Sequence, residues 1–253
     1  MAVFICHGII RATDAGLAAG LAPVEVAERL VIVGAGDLAA IASQCPDRLD
    51  NGETLEEMIA STEGATALAV AHNRIVNAVA ATGDIVPLRL ESFHSDEAAI
   101  AAMLRADETR LRQMLARIAG RFEFAIRIER RADSPVIPPP PPVVTGRDYL
   151  RRRGGQRQSL AEGRMARDAH IDGIEAKFRL FADDIRRLPF VEGGSRKPLA
   201  RLAALVRRQS FAAFEAEAVA LMAEAEGMEI TVSGPWAPYC FVVDAERVHA
   251  GEA

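Results

Sequence analysis

The chain of 253 residues carries 30 Lys+Arg against 35 Asp+Glu, a formal net charge of −5, with 50% of its residues apolar and 26% charged. That length allows one large domain or two small ones with ample core, and the slightly acidic balance points away from a polybasic nucleic-acid or membrane-surface binder. Three cysteines, Cys6, Cys45 and Cys240, far apart and odd in number, offer neither a disulfide framework nor a CxxC zinc pair and fit a reducing cytoplasm.

The N-terminal MAVFICHGII lacks the positive start of a signal peptide and reads as a strand, Val3 to Ile10. Cys6 and His7 are neighbours in it, so their side chains point to opposite faces and do not pair directly as nucleophile and base. The next apolar run, LVIVGAGDLAA from Leu30 to Ala40, raises a dinucleotide-binding reading. A strand over Arg29–Gly34 leads into Gly34-x-Gly36, with Ala39 in place of a third glycine. Such a site also needs a helix N-terminus for the pyrophosphate and a second parallel strand ending in an acid about twenty residues on. The acids at that distance, Glu53, Glu56 and Glu57, sit in the polar DNGETLEEM, and Cys45-Pro46 cuts the intervening helix short. The preferred reading is a glycine turn into a short helix capped by Asp37, and the alternative is an NAD- or FAD-dependent enzyme using Gly34-x-Gly36.

Thr54-x-x-Glu57 is a capping box that opens a helical region continued or restarted through Thr62–Thr82. Leu68, His72, Ile75 and Val79 form one face of that helix. The stretch Gly64–Gly83 is nearly uncharged, yet His72, Asn73, Arg74 and Asn77 would be costly in a bilayer, so a buried helix is expected rather than a transmembrane span. His72 reads as a hydrogen-bonded core histidine. IVPLRLESF, Ile85 to Phe93, reads as a short strand and turn. Ser95 then caps a long helix whose apolar face is Ile100, Leu104, Leu111, Leu115 and Ile118.

In FEFAIRIER, Phe122, Phe124, Ile126 and Ile128 alternate as in a half-buried strand. SPVIPPPPPVVTG, Ser134 to Gly146, with five consecutive prolines, is a stiff spacer or an exposed insertion, or else a ligand for a proline-recognising domain. A helix is expected from Arg147 to about Ala182, with Ile171, Ile174, Phe178 and Phe181 on one face and Gly154-Gly155 weakening it near its start. Strands in DDIRRLPF and PLARLAALVRR, a helix from Ser210 to Glu226 ended by Gly227, and a strand in MEITVSG complete the order β-α-β-β-α-β, the ferredoxin-like pattern. The fold class is therefore α+β in two domains: an N-terminal α+β domain over 1–120, a ferredoxin-like domain over 121–233 interrupted at 134–146, and an extended C-terminal tail over 234–253.

The histidines show no i, i+4 pair and no HExxH, and GxSxG, P-loop and paired-carboxylate signatures are missing. Two segments suggest contact with partners. GRDYLRRRGGQRQ groups Arg147, Arg151, Arg152, Arg153 and Arg157; an acidic partner, nucleic acid or plain solvent would each suit it, and Tyr149 alone interleaves. VSGPWAPYCFV holds the single tryptophan, Trp236, between Pro235 and Pro238, followed by Tyr239 and Phe241; its aromatics either pack on the chain's own domain or offer a contact surface.

Taken in chain order, these segments resemble the gas vesicle protein F and L family (GvpF/GvpL). VSGPWAPYCFV is similar to the family's TGPWPPYSF-like ending, and GRDYLRRRGGQR to the segment that opens its second domain's long helix. IVPLRLESF is similar to its PLRFGT segment, preceded by a helix with a histidine, here His72; GDLAAIAS to its GDLAALVS segment; and VFICHGII to its first strand. Leu90-Glu91-Ser92 replaces Phe-Gly-Thr, and the proline run and Cys240 are less usual, which leaves the subtype open between F-like and L-like. The resemblance implies a non-enzymatic structural or assembly protein of gas vesicles with no cofactor and no metal. Its partners would be the small hydrophobic shell protein and accessory vesicle proteins, not nucleic acid or lipid membrane, and its location the cytoplasm, at the vesicle. The candidate contact residues are Arg151, Arg152, Arg153, Trp236, Tyr239 and Phe241.

Overall fold

The computed structural model describes residues 3–46, 49, 54–131, 146–190, 198–225 and 227–242. The expected proline-rich insertion up to residue 145, and residues 243–253 of the tail, lie outside them. The protein is mixed helix and sheet with two antiparallel sheets, and the chain divides into two compact units: Met1–Glu123 with Gly234–Ala253, and Phe124–Ser233.

In the first unit, β1 (Val3–Arg11), β2 (Arg29–Ala35), β3 (Leu38–Cys45) and β4 (Val86–Pro87) form a sheet in the order β2-β3-β1-β4, and β5 (Phe93–His94) also pairs with β1. β1 and β3 are central and buried on both faces, so they read as near-continuous apolar runs, interrupted by His7 and by Ser43-Gln44, rather than as alternations. One face packs against α3 (Glu97–Ala106) and α4 (Glu108–Ile118), where Ile100, Leu104, Leu111, Leu115 and Ile118 form the expected apolar side. The other packs against α1 (Leu55–Ala60) and α2 (Thr62–Thr82), with Leu68, His72, Ile75 and Val79 buried as their spacing predicts. The Thr54–Glu57 capping box is present, its side chains and backbone N–H groups satisfying one another reciprocally.

A bulge in β1 positions the polar core. Cys6 is opposite Ala42 but Gly8 is opposite Ile41, so His7 is the extra residue. Ahead of it Phe4 and Cys6 face α3 and α4 while Ile5 faces α2; beyond it Ile9 faces α3 and α4 and Ile10 faces α2. His7 and Gly8 consequently both point to the α2 side, and Cys6 and His7 lie on opposite faces as expected. A Cβ at Gly8 would sit 2.5 Å from Ile85 Cδ1 and 2.9 Å from Val86 O, so the position has no room for a side chain.

Four local expectations fail. The helix expected after Gly36 is strand β3: Gly36 and Asp37 are a two-residue hairpin turn between Ala35 and Leu38. Gly36 has φ +64° and Asp37 does not have positive φ, the sign pattern of a type II′ turn. Leu38–Cys45, rich in alanine, reads equally well as buried helix or buried strand by periodicity, and its length of 8 residues marks it as strand. Asp37, expected as a helix cap, instead accepts from Arg112 Nε and Nη2 at 3.0 and 2.7 Å. The helix expected as one long element breaks at Asp107 (φ −104°, ψ 11°) into α3 and α4, and its N-cap is Asp96, which accepts from Ala99 N–H at 2.7 Å, rather than Ser95.

From β6 (Arg121–Arg130) the chain continues through α5 (Gly146–Arg179), β7 (Asp184–Arg187), β8 (Ala200–Arg207), α6 (Phe211–Glu224) and β9 (Met228–Trp236), with the second sheet ordered β7-β8-β6-β9. Its core includes Phe124, Phe178 and Phe214, with ring centroids 4.8 Å apart for Phe124–Phe214 and 5.2 Å for Phe178–Phe214. α5 runs unbroken through Gly154-Gly155. In β6, Phe124, Ile126 and Ile128 are buried as expected, but Phe122 is only half-buried while Glu123 is buried. After β9 the tail makes a single helical turn, α7 (Tyr239–Val242), rather than staying extended.

Because a methyl at Gly8 must displace both Ile85 and the β4 backbone, Gly8→Ala is expected to cost about 1–3 kcal/mol in urea unfolding. Gly16→Ala, where nothing lies within 4 Å of the added Cβ, should be close to neutral.

Candidate functional site

Among the described residues the buried polar side chains are His7, Ser43, His72 and Glu123, all in the first unit where α2 meets β1 and the tail. No set of three or more His, Cys, Asp or Glu among the described residues is placed to hold a metal, and no helix is long and apolar enough to cross a membrane.

His7 Nδ1 lies 2.9 Å from His72 Nδ1, His7 Nε2 lies 2.8 Å from Ser43 Oγ, and His72 Nε2 lies 3.2 Å from Leu88 O. Leu88 O can only accept, so His72 carries its proton on Nε2 and presents Nδ1 as an acceptor. His7 must then donate from Nδ1 and accept at Nε2 from the Ser43 hydroxyl, whose oxygen in turn accepts from Val24 N–H at 3.3 Å. Each contact then holds one proton, with both imidazoles neutral. Burial pulls His7 down to about 3, with the neighbouring His72 adding to the effect. Burial likewise lowers His72, opposed by its bond to Leu88 O. A second proton on His72 would set N–H against N–H across 2.9 Å, whereas one on His7 would fall on Nε2, facing Ser43 Oγ, and is opposed by burial and by the neighbouring His72.

One helical turn on from this pair, α2 holds the tail. Ala237 N–H donates to Asn77 Oδ1 and Tyr239 Oη–H donates to Asn73 Oδ1, both at 3.0 Å, while Cys240 N–H donates to Glu123 Oε2 at 2.7 Å. Asn73 and Asn77 are four residues apart and share a helix face. Ala237 is 0% exposed and Phe241 2%, and Tyr239 packs against the α2-side core. Burial and the Glu123 carboxylate push the Tyr239 phenol above its ordinary range. Sequence patterns single out none of Asn73, Asn77 and Glu123 as functional. The only signals are an acid within the β6 alternation and two amides on a largely apolar helix.

The candidate contact residues separate. Trp236 is 45% exposed, so its ring is accessible. Phe241 is core and Tyr239 is partly buried and hydrogen-bonded, which corrects the expectation that the three aromatics form one surface: the backbone that exposes Trp236 turns the other two inward. Arg151, Arg152 and Arg153 lie on α5. The Gly34-x-Gly36 segment opens no helix and therefore has no N-terminus to receive a pyrophosphate, the geometry that the dinucleotide alternative required. Burial pushes the Cys6 thiol up to about 12 and, with Glu28, Cys45 to about 11, so neither supplies a thiolate at neutral pH.

This geometry has two measurable consequences. Both histidines are lowered below the unfolded value of about 6.5, so the unfolded chain takes up protons first. Their contribution to stability is complete above pH 6.5 and shrinks as pH falls toward the folded values, by at most about 1.4 kcal/mol per pH unit for each histidine. His7→Gln should flatten the pH dependence of urea midpoints between pH 6 and 4 relative to the parent. Asn77→Ala strands the fully buried Ala237 N–H and should cost about 1–3 kcal/mol. Tyr239→Phe, which frees an Asn73 amide able to reach water, should cost only about 0.5–1.5 kcal/mol by the same unfolding measurement.

The family described as "Gas vesicle synthesis protein GvpL/GvpF" matches residues 4–243. Gas vesicle protein L of Streptomyces sp. (strain CB03234) is 25% identical over 228 residues, covering 84% of this chain and 82% of that protein. Among solved structures, gas vesicle protein GvpF from Anabaena sp. PCC7120 superposes with a TM-score of 0.68 at 14% identity, covering 97% of this chain and 98% of that one. GvpF from Microcystis aeruginosa gives 0.64 at 11% identity, covering 96% and 99%. At those identities the structures establish a shared fold. The match along nearly the whole sequence establishes more: this chain belongs to the GvpL/GvpF family of gas vesicle proteins.

Proposed function

We propose that the protein is a non-catalytic structural or assembly component of gas vesicles, acting in the cytoplasm at the vesicle by binding the shell protein and accessory vesicle proteins. The observation that carries this reading is the family match over residues 4–243. The chemistry of the first unit supports it: the buried polar groups satisfy one another, and among the described residues no buried side-chain nitrogen or oxygen lacks a partner. Such a site has nothing left over to polarise a substrate.

In the same reading, the segment from β6 to β9 is a ferredoxin-like domain: its element order β-α-β-β-α-β and its sheet order β7-β8-β6-β9 both suit that arrangement. Domain boundaries near 120 and 233 go with it. Partner contact falls to Trp236, whose ring is exposed on a backbone anchored at both ends, and to Arg151, Arg152 and Arg153 on α5. An anchored aromatic loses little conformational freedom on binding, which favours it as a contact residue.

Affinity-tagged full-length protein should recover the shell protein and accessory proteins from vesicle-forming cells. Recovery should fall in Trp236→Ala and in the triple Arg151→Glu, Arg152→Glu, Arg153→Glu variant, and cells lacking the gene should make fewer or malformed vesicles. Recovery of neither class of partner, together with normal vesicles in the deletion strain, would refute the proposal.

A further inference from the structure

β2 is the edge of the first sheet, and the parity of its hydrogen bonds can be read directly. Ala12 N–H bonds to Asp37 O, so residues 37, 39 and 41 turn their backbone groups toward β1. Residues 38, 40, 42 and 44 then turn theirs toward β2, as the bond from Glu28 N–H to Gln44 O also shows. Through the register Ala35↔Leu38, Val33↔Ala40, Val31↔Ala42 and Arg29↔Gln44, it is the odd residues of β2 that pair with β3. The N–H and C=O groups of Leu30, Ile32 and Gly34 therefore point away from the sheet, and among the described residues no hydrogen bond occupies them.

Natural edges are usually blunted by proline, a bulge, an inward charge or brevity. RLVIVGA is 7 residues long and has none of these within the strand apart from Arg29 at its start. Ile32 at its midpoint is 40% exposed, although its neighbours Val31 and Val33 pack against the core.

We infer that this edge pairs with the same edge of a second copy of the chain, β2 antiparallel to β2 about a two-fold axis through Ile32. The register that uses the whole strand is centred on Ile32. In it, Ile32 exchanges backbone hydrogen bonds with Ile32 of the second copy, and Leu30 with Gly34 of the second copy. The outward parity of 30, 32 and 34 is the one that register needs. The exposed isoleucines come directly opposite one another and cover each other. Charge is complementary at both ends: Arg29 lies opposite Ala35 of the second copy, diagonal to Asp37 of the second copy and on the same face. Arg29 and Asp37 already point to that face, toward Glu97 on α3 and Arg112 on α4. A parallel or shifted pairing loses these matches. One strand pair is smaller than a standard protein interface, so the dimer is concentration-dependent. This inference stands independently of the assembly role.

Analytical ultracentrifugation of the full-length protein over a wide concentration range tests it. The parent should pass from monomer to dimer as concentration rises. Ile32→Pro removes an N–H that no strand among the described residues uses, so the hairpin survives and the dimer is lost. Ile32→Lys places two cations opposite each other and should also abolish the dimer, whereas Val70→Lys, at an exposed apolar position on α2, should leave it intact. Ile32→Cys should form a disulfide-linked dimer under mild oxidation, and Val70→Cys should not. A parent that sediments as a monomer throughout, or a dimer that persists in folded Ile32→Pro or Ile32→Lys, would overturn the inference. An Ile32→Cys variant that forms no linked dimer while the parent self-associates would place the contact elsewhere and overturn it equally.

Discussion

The hydrogen bond between His7 and His72 joins the central strand of the first sheet to the helix that receives the tail. It exists because β1 carries one residue more than β3 at that point, which turns His7 and Gly8 to the same side and lets Ile85 and the β4 backbone close over a position without a side chain. Burial disfavours charge on either imidazole, and each ring nitrogen has a hydrogen-bonding role. Ser43 and Leu88 O supply the ends of that chain, so strand β3 and the segment after β4 are tied to the same arrangement. The group is costly to bury and leaves few alternatives, which makes it a means of specifying how α2 lies on the sheet.

With α2 set, its next turn fixes the tail. Asn73 and Asn77 take an O–H and an N–H from the tail, and Glu123 takes another N–H on the strand that leaves the first unit. The C-terminal segment is thereby part of the first unit's core, contributing Ala237, Tyr239 and Val242 to its two apolar clusters. Trp236 alone among its aromatics is left outward, so the placement of an exposed aromatic traces back to polar contacts inside the first unit.

Much of this was legible in the sequence where the signal is local. The Thr54–Glu57 box, the apolar faces of α2, α3 and α4, and the order of strands and helices from β6 to β9 all arise from spacing and capping. The failures have a common physical origin. Leu38–Cys45 is mostly small and apolar, so periodicity does not separate strand from helix, and its length and its place between β1 and β2 decide that it is strand. The bulge at His7 and the burial of Glu123 depend on partners 65 and 117 residues away, which no local pattern encodes. Gly34-x-Gly36 shares its letters with a phosphate-binding turn because both need a glycine with positive φ. The two differ in the element after Gly36, a strand here and a helix in the phosphate-binding turn.

Burial together with this hydrogen-bond chain holds His7 and His72 both neutral, with His7 protonated on Nδ1 and His72 on Nε2. Long-range 1H–15N correlation spectra of the imidazoles in the full-length protein at pH 6 read this directly. One protonated and one bare nitrogen are expected on each ring, in that order, with no charged form of either. A protonated Nε2 on His7, or an imidazolium signal from either residue in the folded protein, would contradict it.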